Sequence, residues 1–178
     1  MQSKFLVFSV VLLSLSWACS KQEIQPKPKV QLALNYDKAS YKTIEIKDCP
    51  YQFEINSFAR LQNPKTRKAC WTNIFYPEQK GTIFITYNKV SNNLDKYLID
   101  AQKLPLQHSI KADQIEASEY INPAKNTYGV FYEVIGDAAS QAQFYLTDST
   151  QHFITGSIYF DATPNYDSIL PAAAYLKK

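Results

Sequence analysis

Glycine is scarce, four in 178 residues, and histidine scarcer still, with only His108 and His152. So few glycines leave no Gly-rich loop to cradle a phosphate, and there is no GxSxG or SxxK around a nucleophilic serine. The two histidines stand far apart, without HxxxH or CxxC spacing, so a metal lacks converging ligands. An excess of one charge is also missing. The formal net charge is +3, with acids and bases interspersed, which gives no electrostatic footprint for nucleic acid. Neighbouring polar residues do not repair these gaps. Asp148 and Ser149 adjoin without a base positioned for them, and Glu116 and Glu119, an odd number apart on an expected strand, face opposite ways. We read the chain as a non-enzyme that needs no cofactor and no metal.

What is present begins with a targeting segment, residues 1–18, kept out of fold reasoning. Lys4 supplies a short positive region, and Phe5–Leu15 an apolar run too short to span a bilayer. Ser16-Trp17-Ala18 lead into Cys19. This resembles a bacterial lipoprotein signal with its lipobox: Ala18 and Cys19 fit, whereas Ser16 stands where leucine is usual. The alternative is an ordinary secretory signal that happens to contain a cysteine. Three cysteines is an odd number for an exported chain, and an odd count points to a thiol with another use. If Cys19 carries lipid, Cys49 and Cys70 remain, either as a disulfide or as two buried free thiols. As a nucleophile either would have to be reduced, which export opposes.

Residues 19–29 form a polar, proline-containing tether with nothing to bury. The rest, 30–178, is long enough for one domain with one sizeable core. Thirteen tyrosines suit half-buried sheet surfaces. Tyr41–Lys47 alternates as a strand would, and Tyr51, Phe53 and Ile55 continue the habit. Arg60–Lys68 is basic and turn-rich, a docking patch or simply a solvated loop. Trp71–Tyr76 and Gly81–Tyr87 read as strands, with Ile83, Ile85 and Tyr87 on one face and Thr82, Phe84 and Thr86 on the other. Asn92 or Asn93 can cap a helix whose Leu94, Tyr97, Leu98 and Ala101 form one stripe, and Pro105 is expected to break it. A short, weaker helix follows over Leu106–Ala112, then a strand over Ile115–Ile121.

Tyr128–Ile135 and the hairpin FYLTDSTQHFITGSIYF, Phe144–Phe160, make a meander, and DATPNYDSILPAAAYLKK supplies a covering helix. Seven or eight strands and three helices in runs, without regular βαβ alternation, predict an α+β fold: mainly antiparallel sheet with helices packed on it. Its layout is similar to the PsbP/Mog1 type, an antiparallel sheet between helices. Asp148-Ser149-Thr150 and Asp167-Ser168-Ile169 look like sequences that accept O-linked sugar in exported proteins of Bacteroidota, which makes Ser149 and Ser168 candidates. A turn and a helix N-cap explain the same residues without sugar.

CPYQFEI at Cys49–Ile55, ACWTNIFYP at Ala69–Pro77, NNLDKYLIDAQKL, HSIKAD at His108–Asp113, YGVFYEVIGDAAS, the hairpin and the PNYDSILPAAAYLKK tail resemble, in order, the gliding-motility lipoprotein GldD family. The terminal helix stops at Lys177-Lys178, where family members usually continue. The resemblance implies a membrane-anchored component needed for gliding and for type IX secretion, without established catalysis. It makes Cys19 the lipid attachment point and Cys49 with Cys70 the matching cysteines. Expected partners are the membrane, through the lipid, and protein components of that machinery. Ser-Lys-Gln-Glu after Cys19 lacks the acidic run of surface-exported lipoproteins, which predicts a domain facing the periplasm. The rival is a PsbP/Mog1-like module binding a protein or a hydrophobic ligand in an aromatic-lined recess.

Overall fold

A computed structural model describes residues 34–64, 68–107 and 110–178. The chain divides into units 1–30 and 31–178, and every described residue lies in the second. The targeting segment, Cys19 and the tether therefore lie outside the described residues.

Among the described residues nine strands form two antiparallel sheets. The small one is a hairpin of β1 (Tyr41–Glu45) and β2 (Gln52–Asn56). The large one holds β3 (Arg60–Gln62), β4 (Thr72–Tyr76), β5 (Gly81–Lys89), β6 (Ala112–Asn122), β7 (Thr127–Gly136), β8 (Ser140–Thr147) and β9 (His152–Phe160). Their spatial order is β3-β4-β5-β9-β8-β7-β6, so β9 joins two meanders by pairing with both β8 and β5. Helix α1 (Leu94–Leu106) bridges β5 to β6 at the far edge, and α2 (Tyr166–Leu176) follows β9. The result is an antiparallel sheet with a helix on each face, the α+β arrangement expected.

The period of two in the strands sorts side chains to two cores. On the first face Ile74, Tyr76, Ile85, Ala142 and Ile158 meet Ile55 of β2 and Tyr175 and Leu176 of α2. Each fully buried aliphatic side chain contributes about 1.5–3 kcal/mol. On the second face the predicted stripe Leu94, Tyr97, Leu98 and Ala101 packs over Phe153 and Tyr145. Phe153 is stacked between Tyr97 at 5.4 Å and Tyr145 at 5.6 Å. Gly156 lies opposite Phe144 in the β8–β9 register, and a methyl group there would come within 2.2 Å of the Phe144 ring. Only glycine lets that ring lie across the strand.

A two-stranded hairpin is not stable alone, and β1–β2 is tied down at three points. Cys49 and Cys70 form a disulfide, with Cα atoms 5.4 Å apart, joining the hairpin to the β3–β4 loop; this settles the choice against free thiols. The Tyr51 hydroxyl donates to the Cys70 carbonyl at 2.7 Å. Asn56 Nδ2 donates to the Tyr175 hydroxyl at 3.1 Å, fastening the hairpin to α2.

Several local expectations need correction. Pro105 does not break α1 at once: the helix includes it and ends one residue later, since in the last turn only one ladder bond is lost. No helix covers Leu106–Ala112; Leu106 closes α1, Ala112 opens β6, and the described residues between are turns. The basic stretch is not all loop, because Arg60–Gln62 pairs with β4 as β3. The N-cap of α2 is Asn165, whose side chain accepts from the Ser168 amide at 3.2 Å, so Ser168 sits inside the first turn and is not the cap.

The β8–β9 turn is built on one carboxylate. Asp148 Oδ1 accepts the amides of Thr150 (3.0 Å), Gln151 (2.8 Å) and His152 (2.8 Å), while Oδ2 accepts the Thr150 hydroxyl (3.0 Å). Burial is the largest influence and would raise its pKa, but these hydrogen bonds together outweigh it and hold Asp148 down at about 2. A depressed carboxyl stabilises the fold above its unfolded pKa of about 4 and loses that contribution as pH falls through the folded value. Asp148→Asn is expected to cost about 1 kcal/mol at neutral pH, allowing for solvent screening. The gap to wild type should close between about pH 4 and pH 2, which urea unfolding across that range would show. Replacing both Cys49 and Cys70 by serine should cost about 3 kcal/mol, measured in the same way under non-reducing conditions.

Candidate functional site

The first sheet face is only partly covered by α2 and the β1–β2 hairpin, and a groove remains between the hairpin and β6–β8. Cross-strand register places Tyr120, Gly129, Leu146 and Ile154 in one row, with Phe131 and Phe144 in the next. These residues come from four strands, yet all share a face because antiparallel partners point the same way. Two adjoining recesses result. One, about 320 Å³, is walled by Tyr120, Phe131, Phe144 and Leu146, with Gln52 and Lys125 at its rim. The other, about 340 Å³, shares Gln52, Lys125 and Leu146 and extends to Tyr51, Asp148 and His152.

Local geometry fixes both rims. Lys125 sits in the 3-10 turn Pro123–Lys125 between β6 and β7, where Asn122 Oδ1 accepts its amide at 3.2 Å. Asn126 closes that turn in the left-handed region at φ 46°. At the other end Tyr87 and His152 Nδ1 are hydrogen-bonded at 3.0 Å. Burial first, and then the negative charge of Asp148, pushes the Tyr87 phenol up, so it stays protonated rather than becoming a nucleophile. Burial likewise raises Tyr51. The groove thus offers apolar walls, one lysine and a carboxylate already committed to its own turn. That suits holding an apolar group better than breaking a bond.

A second open surface lies on the other face, where α1 leaves β5 and the adjoining part of β9 uncovered. Phe84 (40% exposed) and Tyr159 (37% exposed) meet edge to face at 5.7 Å, beside a Thr86–Thr155 hydroxyl pair at 2.6 Å. The third exposed feature is β6, the edge strand remote from β3, with Tyr120 and Ile121 exposed.

The candidates taken from the sequence do not converge. Ser149 is exposed in the β8–β9 turn at φ 66°, and its amide donates to Thr147 Oγ1 at 2.9 Å. Ser168 is exposed on α2. Cys49 and Cys70 are joined to each other outside the groove, while His108 falls outside the described residues. Among the described residues no group of three or more His, Cys, Asp or Glu is placed to hold a metal. Sequence reading missed Gln52, Lys125 and the Tyr120–Leu146 row as a set. Only the alternating aromatics of β7 and β8 hinted at them.

No curated protein and no solved structure matches the chain. A family model described as the gliding motility lipoprotein GldD matches residues 21–178, the whole chain beginning two residues after Cys19. With a match of that extent, the chain belongs to the gliding motility lipoprotein GldD family.

Proposed function

We propose that this lipid-anchored envelope protein is a non-catalytic accessory or scaffolding component of gliding motility and type IX secretion, with its domain facing the periplasm. The single observation that carries the reading is the family match, which runs from just past Cys19 to Lys178. Lipid on Cys19 supplies the anchor. Each buried methylene adds about 0.8 kcal/mol, so two acyl chains such as palmitate hold the protein durably where one holds marginally. Exposed sheet surfaces and a groove with apolar walls fit a protein that binds others. Its expected partners are components of the secretion and gliding apparatus.

Crosslinking and pull-down of the full lipoprotein from the native envelope should recover such components, and recovery of none would overturn the reading. Cys19→Ser should move the domain from the membrane to the soluble fraction without unfolding it.

A second reading, a module for a hydrophobic ligand, draws on the apolar recess of about 320 Å³ beside Lys125. A fluorescent fatty acid should then bind the purified protein, and Leu146→Trp, which fills the recess, should weaken binding about tenfold or more while leaving the melting temperature within a few degrees.

A further inference from the structure

We infer that β6 is a docking edge for an extended, lysine- or arginine-bearing strand of a partner protein, which adds to the sheet as an eighth strand. At eleven residues β6 is the longest of the described strands, and among them it pairs only with β7. Every second residue along it therefore turns its amide and carbonyl away from the sheet, with no described strand to receive them. Apart from its acidic side chains, the devices that blunt such an edge are missing from most of its length. The strand holds no proline and no lysine or arginine, and its one register irregularity falls at the start, between Ala112 and Gln114.

Its charge selects the occupant. Asp113, Glu116 and Glu119 lie within it, and no described cation pairs with them. Glu116 takes only the Gln114 amide at 2.9 Å and lies opposite Glu133, whose own cation is Lys177 of α2. Two copies pairing antiparallel near the middle of β6, with Glu116 opposite Glu116, would crowd those carboxylates on one face and set Glu119 of each across from Asp113 of the other, which disfavours a second copy. A basic strand meets the opposite situation. Because Glu116 and Glu119 project to opposite faces, the complementary strand carries cations three residues apart, one on each face. Exposed Tyr120 (43%) and Ile121 (64%) supply an apolar neighbour on either side. Backbone pairing gives the affinity and the alternate side chains the selection.

The inference deepens the accessory reading and rests on it only for who the partner is. The test uses purified protein and a synthetic probe, so it can fail while the envelope pull-down succeeds, and the reverse. The full mature chain, disulfide intact, is titrated with an eleven-residue peptide of Thr, Lys and Val having lysine at every third position, while amide hydrogen exchange is followed. Saturable binding should slow exchange within Ala112–Asn122. Glu116→Lys combined with Glu119→Lys should weaken it about tenfold or more and create binding of the same peptide with glutamate in place of lysine. The variant does not burden the fold, since both positions are exposed and Glu116 already faces Glu133. The single changes Glu116→Gln and Glu119→Gln should each weaken binding by a smaller factor. No binding, equal binding by the reversed-charge variant, or protection centred on β3 or on Phe84 and Tyr159 would overturn the proposal. So would a dimer of the unliganded protein that the double variant abolishes.

Discussion

Strand β9 is held on one side by β8, its hairpin neighbour, and on the other by β5, and the second pairing makes one sheet out of two. Nine residue pairs from Gly81↔Phe160 to Lys89↔His152 link strands whose Thr86 and Thr155 hydroxyls, 69 residues apart in sequence, meet at 2.6 Å. The core beneath α2 presumes this seam. The first core draws Ile85 from one side of it and Ile158 from the other, and α2 closes over both. Without the seam neither meander has a complete face to bury.

The covering elements are fastened by polar contacts at their ends as much as by apolar contacts between them. The Asp137 carboxylate accepts the Tyr166 amide at 2.7 Å at the start of α2, Asn56 holds Tyr175, and Lys177 pairs with Glu133 at the far end. Around the Asn56–Tyr175 contact the phenols crowd together. Tyr36 lies 5.1 Å from Tyr175, and Tyr76 is pushed up to about 12, by burial first and then by Tyr41 and Tyr175. Such rings pack as hydrophobes while keeping a hydroxyl for bonding, which is how a tyrosine-rich chain builds a core.

What sequence could reveal followed from how local each feature is. The β8–β9 hairpin, the α1 stripe and the β4–β5 pair are written in neighbouring residues, and each appears where periodicity puts it. The β5–β9 seam is not local: Thr82 and Phe84 carry no mark of Tyr159 and Ser157. Nor is the groove, assembled from β2, the β6–β7 turn and β8, in which no residue type announces chemistry. The short helix expected after α1 failed because Leu106–Ala112 contains good helix formers whose backbone is claimed by the turn and by β6. Parity and compartment, by contrast, point to the Cys49–Cys70 disulfide while leaving two free thiols open, and the structure joins the pair.

The order of synthesis gives the seam a further meaning. Since β9 is the last described strand along the chain and also the middle of the sheet, the β3–β5 half has no lasting partner until residues 152–160 have been made. Distant pairing of this kind is slow to form, because closing a long loop costs entropy before any contact repays it. A chain arranged in this way stays open to threading until β9 arrives to close the sheet.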